Sequence, residues 1–204
     1  AIALLYVALS RGPMGVVSPL TAVMSGAIPV AVGLLRGERL TPYAVLGILL
    51  AAVAVTLVSR QRGQHARIRG STILISLGSG TFIGLYLSAI GTAPVDSGIW
   101  AVTIGRWTSS VLILVAVFAL ARNFPRRGFP WLLALCCGVI DASANGIFQL
   151  ASQHGRLAIV AVLGSLYPAA TAVLARFLLH ERLEPAQLVG VALALAAAAL
   201  LALP

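Results

Sequence analysis

Asp141, Asn145 and Gln149 stand four residues apart inside an otherwise apolar stretch, Trp131 to Ala151. On a helix that interval returns each of them to one face, with Cys137 one turn earlier. A stretch of this length and polarity crosses hydrocarbon as a helix. Asp141 lies at its middle, where a carboxylate costs about 2.5–3.5 kcal/mol even on lenient insertion scales. Groups so placed face protein or a water-filled path rather than lipid. There they can engage a polar solute, exchange a proton, or join neighbouring helices by hydrogen bonds.

Arg106 is the natural counter-charge. Its stretch, 99–121, runs antiparallel to 131–151, and depth counting puts the two charges about 4–5 Å apart along the helix axes at 1.5 Å per residue. A guanidinium can span that gap, which lowers the burial cost of both groups. Arg176, three residues from the far end of its own stretch, can instead snorkel to the interface. Ser165 and Tyr167 in "GSLYP" (164–168) come to mid-membrane depth beside Pro168. Pro29 and Pro168 are expected to break their helices, because each removes a donor that would pair with the residue four back, Ser25 and Gly164. Tyr86 follows "GSGTFIG", whose Gly80 and Gly84 suit close helix contact; it is a further candidate for the same polar region.

These residues need long apolar elements to hold them. The chain is 60% hydrophobic and only 9% charged, with a mean hydropathy of +1.02, so it reads as an integral membrane protein. Apolar runs recur at 14–35, 43–59, 71–91, 99–121, 131–151, 158–179 and 187–203. Alternation of period two is absent, so the expected fold is all-α, a polytopic transmembrane helical bundle and not a barrel. The opening "AIALLYVALS" supplies only half a span, so the chain is expected to start inside one.

All fourteen positive charges are arginines, and the net charge is +9. They concentrate in "RQRGQHARIR" (60–69) and "RNFPRR" (122–127), short loops separated by two spans and therefore on one face. In a multispanning chain such loops set orientation, and no nucleic acid is expected as partner. The positive-inside rule puts both in the cytoplasm. Cys136 and Cys137 are adjacent and intramembrane, which suits neither a disulfide nor a zinc site. No metal or other cofactor is expected. Trp100 and Trp131 mark span ends, as aromatic belts do.

A repeat organises the rest. Glu38, Arg39, Leu40, Pro42 and Gly47 fall on Glu181, Arg182, Leu183, Pro185 and Gly190 at a constant offset of 143 positions. Five spans lie between the two "ER" turns, and an odd number puts the turns on opposite faces, so the units are inverted. Inverted repeats characterise secondary transporters with sites near the midplane. Counting back by the offset, the first unit starts roughly 70 residues before Ala1. Glu38 and Glu181, just past helix ends, are expected to cap the next helix or pair with nearby arginine.

The paired signature, helix–"GERL"–helix and helix–"HERLEP"–helix, resembles the EamA-domain proteins of the drug/metabolite transporter superfamily. "VLGSLYPAATAVLARFLLHERL" (162–183) is similar to that family's penultimate helix; the first unit departs from it, with Ser25 where the second has Pro168. The resemblance implies two inverted five-helix repeats, ten spans when intact and about seven and a half here. Residues 1–59 would be the C-terminal part of the first repeat, 60–70 a connecting loop, and 71–204 the complete second repeat. It implies a carrier of small metabolites, an exporter or exchanger, in the inner membrane of a bacterium. Proton coupling and facilitated exchange are equally compatible with Asp141. Family members are usually drawn with both termini cytoplasmic, against the arginine count, so orientation stays open, as do substrate and oligomeric state. The alternative is a lipid-flipping protein or an intramembrane scaffold. An enzyme is disfavoured, because the sequence has no HExxH, no rhomboid-type serine spacing and no second intramembrane aspartate.

Overall fold

The computed structural model describes residues 2–12, 14–59, 70–120, 131–178 and 184–203. Among these residues every regular element is helical: α1 Ile2–Arg11, α2 Met14–Leu35, α3 Pro42–Val58, α4 Gly70–Gly91, α5 Trp100–Leu120, α6 Trp131–His154, α7 Leu157–Ser165, α8 Tyr167–Leu178 and α9 Pro185–Leu201. A single 3-10 turn, Val95–Ser97, precedes α5. Four described stretches are long and apolar enough to cross a membrane: Val16–Leu35, Gly70–Gly91, Trp131–His154 and Leu157–Leu178. The helices α3 and α9, 17 residues each, sit at the lower limit of about 17 for spanning. Large apolar side chains stay open along these helices, among them Trp107, Leu112, Phe118, Leu132 and Leu195. Water penalises such a surface and hydrocarbon does not.

The helix limits repeat at the offset of 143. Shifting α2 by that amount gives the combined extent of α7 and α8; shifting α3 gives α9; and α1 ends where α6 does. Their starts share a device. Pro42 and Pro185 occupy the first helical position, where a missing N–H costs nothing. Thr41 Oγ1 accepts from the Ala44 N–H, and Gln187 Oε1 accepts from the Glu184 N–H.

The fold divides into two compact units. The first, Ala1–Ala89 with Gly155–Pro204, is built on α3 against α9 and α2 against α7. Its core is mostly small: Ala44, Ala51, Ala54, Ala194 and Ala197, with Val55, Val58 and Leu201. Without a hydrophobic drive between helices in lipid, small residues let backbones approach and gain dispersion contact. The α3–α9 packing is reciprocal. A Cβ on Gly47 would meet Leu201 Cγ at 2.8 Å and the Ala197 carbonyl at 3.3 Å. A Cβ on Gly190 would meet Val58 N at 2.7 Å and the Ala54 carbonyl at 3.0 Å. Each glycine thus lies on the repeat counterparts of the residues its partner lies on, and the early part of one helix meets the late part of the other. The pair is antiparallel and locally two-fold.

On the other side of α2, α4 packs through Gly80 and Gly84, where a Cβ would fall 2.7 Å from the Thr21 carbonyl and 3.2 Å from the Ser25 carbonyl. Thr21 Oγ1 donates to the Ser76 carbonyl at 3.3 Å. The second unit, Ile90–His154, is α5 against α6 with the turn that leads into α5.

The two prolines expected to break helices behave differently. The span with Pro168 does divide: α7 ends in a tight turn, Leu166 N–H to Leu163 O, and Pro168 sits in the first turn of α8, where it needs no donor. Pro29 does not break α2, which runs unbroken through both Pro19 and Pro29. Pro29 is fully buried, so packing holds the helix across the lost bond. Gly84 lies against the Ser25 carbonyl that Pro29 leaves without its helical donor.

Candidate functional site

In the second unit, Arg106 and Asp141 form an ion pair, Nη2 to Oδ2 at 2.5 Å. The same Nη2 donates to the Asp141 carbonyl at 3.3 Å, so the guanidinium grips side chain and backbone of one residue. Asn145 Nδ2, one turn on, donates to the Asp141 carbonyl at 2.8 Å and to Oδ1 at 3.4 Å. Two polar residues, Arg106 of α5 and Asn145 of the antiparallel α6, therefore converge on Asp141. They do not seal it: 31% of the Arg106 side chain and 54% of the Asp141 side chain remain accessible. Among the described residues, Arg106 Nε is buried with no partner.

Gln149, the third member of the stripe, does different work. It is fully buried. Its Oε1 accepts from the Val102 N–H at 3.2 Å, and its Nε2 donates to the Gly98 carbonyl at 2.7 Å. Gln153 Nε2 donates to the Pro94 and Gly98 carbonyls. Gln149 thus satisfies one of the orphan donors of the α5 N-terminus and fixes the turn before it. Because Val102 is one turn before Arg106, this tie sets where α5 presents its arginine.

In the first unit, Ser165 Oγ bonds its own helix at the Val162 carbonyl and packs on Gly26 of α2, where a Cβ would lie 3.0 Å from it. Tyr167 is half-exposed, and its hydroxyl shares a hydrogen bond with Ser18. Tyr86 is half-buried on α4. Glu181 and the arginine loops 60–69 and 122–127 lie outside the described residues.

Glu38 departs from the sequence expectation. The next helix, α3, is capped by Thr41. Glu38 reaches the start of α7 instead, Oε1 accepting from the Leu157 N–H at 2.9 Å and Oε2 from the Ala158 N–H at 3.1 Å. That partner is 119 positions away in sequence, and no local pattern names it. Gly33, which sequence reasoning passed over, makes room for this carboxylate. The spacing Gly33–Gly37–Glu38 at a helix end was the available signal.

Residues 70–203 match the EamA-like transporter family. The chain belongs to that family. The EamA-like chain is therefore an integral, multi-pass membrane protein of the drug/metabolite transporter kind, with an all-α polytopic fold and a small-molecule substrate. The family is one of transporters rather than enzymes. A solved structure, titled only as the crystal structure of a protein, superposes with a TM-score of 0.81 at 18% identity, covering 98% of this chain and 72% of that one. At that identity the likeness speaks for the fold. Comparison with curated proteins found no match.

Proposed function

We propose that the protein moves a small polar metabolite by alternating access, and that Arg106, Asp141 and Asn145 are the groups the solute or a coupling proton engages. The observation that carries this is the half-open ion pair in the middle of α6. Against hydrocarbon an accessible carboxylate at that depth is costly, whereas against a water-filled path it is not. A guanidinium beside a carboxylate offers one group to a solute anion and the other to a solute cation, and breaking the pair gives either group back its valence. Asp141 can also take up a proton once Arg106 turns away, which would couple flux to a proton gradient. Gln149, engaged at both ends by backbone, supports this site and is not part of it.

The proposed organisation is two inverted repeats, with 1–59 from the first and 71–204 the second. The matching helix limits and the reciprocal, antiparallel α3–α9 contact favour it. A two-fold axis across an antiparallel pair of spanning helices lies in the membrane plane, as inversion requires. Export or exchange across a bacterial inner membrane is the expected setting.

The test is transport by the purified protein in liposomes, using counterflow with a panel of amino acids, nucleobases and lipids. Asp141→Asn should abolish flux driven by a pH gradient and spare counterflow. If driven flux persists in a folded variant, Asp141 is not the coupling residue. If no solute undergoes counterflow in either protein, the transport reading of the site fails.

A further inference from the structure

The helix α2 ends in a tightly specified turn. Gly37 has φ +87°, its N–H bonds the Leu34 carbonyl, and the Glu38 N–H bonds the Gly33 carbonyl. This paired closure turns the chain back on the last helical turn, and glycine serves it because left-handed backbone strains other residues. It carries the Glu38 side chain back over Gly33. A Cβ on Gly33 would stand 2.6 Å from Oε2 and 2.9 Å from Cδ, so the carboxylate occupies the space a side chain would fill. From there it accepts from the first two N–H groups of α7. Those donors have no cap of their own, because Arg156 at the N-cap position makes no side-chain capping bond. Leu157 and Ala158 are buried, so without Glu38 two desolvated donors would go unpaired. At its other end, α7 stops at Ser165, before Pro168.

We infer that Glu38 is a latch: its carboxylate holds the N-terminus of α7 closed on one membrane face, and that face opens when α7 leaves it. The inference rests on the alternating-access reading. An anion on two helix-start N–H groups is a strong contact, but it is carried by one side chain and can release as a unit. The segment it holds is short, nine residues, and ends in a break that can absorb rotation. A static cap needs neither the cleared space at Gly33 nor a partner so distant in sequence; a local serine or aspartate at position 156 would serve.

The experiment places spin labels at Arg39→Cys and Gly155→Cys in the Cys136→Ser/Cys137→Ser background, with the full chain in lipid nanodiscs. Both positions are exposed and flank the latch. Dipolar spectra should resolve a short and a long separation. Glu38→Gln, which replaces one acceptor by a donor, should raise the ratio of long to short about tenfold. Gly33→Ala, which crowds the carboxylate without touching its charge, should shift the ratio the same way and serves if the glutamine variant does not fold. A ratio unchanged by the substitutions, or a long separation absent throughout, overturns the latch. Counterflow by the same proteins separates the two readings. An unchanged ratio with working counterflow removes the latch and leaves the transporter. A shifted ratio without counterflow upholds the latch and counts against transport.

Discussion

At the scale of single residues, Asp141 is held by a side chain and by its own helix, with Arg106 and Asn145 sharing its oxygens. The carboxylate is more than half open, so a fully buried ion pair is the wrong reference for its energy. Interhelical polar contacts in bilayers average about 0.6 kcal/mol and reach about 1.7. Arg106→Ala and Asp141→Ala should therefore each lower stability by about 1 kcal/mol, chiefly by leaving the other charge alone. The double variant should recover most of that loss and none of the flux driven by a pH gradient, since stability needs neutrality and coupling needs the charge. Thermal unfolding in detergent beside liposome flux reads both. Losses that simply add would show that the pair does not act as a unit. Gln149 teaches a different lesson: it shares a helix face with Asp141 and Asn145, yet its burial and its two backbone partners make it a tie between helices.

At the scale of helices, the α3–α9 pair combines sequence symmetry with unequal local tolerance. Gly47 faces mainly the end of the Leu201 side chain, which can swing aside, whereas Gly190 faces the backbone of Val58 and Ala54, which cannot. Gly190→Ala should cost about 1–3 kcal/mol, the range of overpacking that moves backbone. Gly47→Ala should cost less than half as much, although the two positions are repeat counterparts. Unfolding midpoints of the two variants decide this, and equal losses would mean the interface relaxes as a rigid pair. The same contrast explains the prolines. Pro168 starts a helix after a completed break, while Pro29 is buried within one that packing keeps intact.

At the scale of the molecule, inversion is the claim with the most consequences. The proposed repeats place the turns after α2 and after α8 on opposite membrane faces. Impermeant maleimide should label Arg39→Cys from one side of sealed vesicles and Arg182→Cys from the other, on the cysteine-free background. Labelling of both from one side would end the inverted-repeat proposal, and with it the two-fold reading of α3 and α9.

The chain's composition and apolar run lengths determined an all-helical, many-span protein. Helix limits came within about three residues of the runs, because hydrocarbon tolerates no unpaired backbone and so ties apolar length to helix length. The sequence likewise marked the unusual residues, since a charge at midplane depth is costly wherever its helix faces. Its period of four could not divide the stripe, because spacing fixes a face but not the neighbour on that face. Only tertiary structure gave Gln149 to the start of α5, while Asn145 stayed with Asp141 on their own helix. Only tertiary structure, likewise, carried Glu38 past its own next helix to α7, and kept α2 whole at Pro29. Those outcomes depend on which surfaces meet at long sequence separation, where packing and the pairing of buried donors outweigh local pattern.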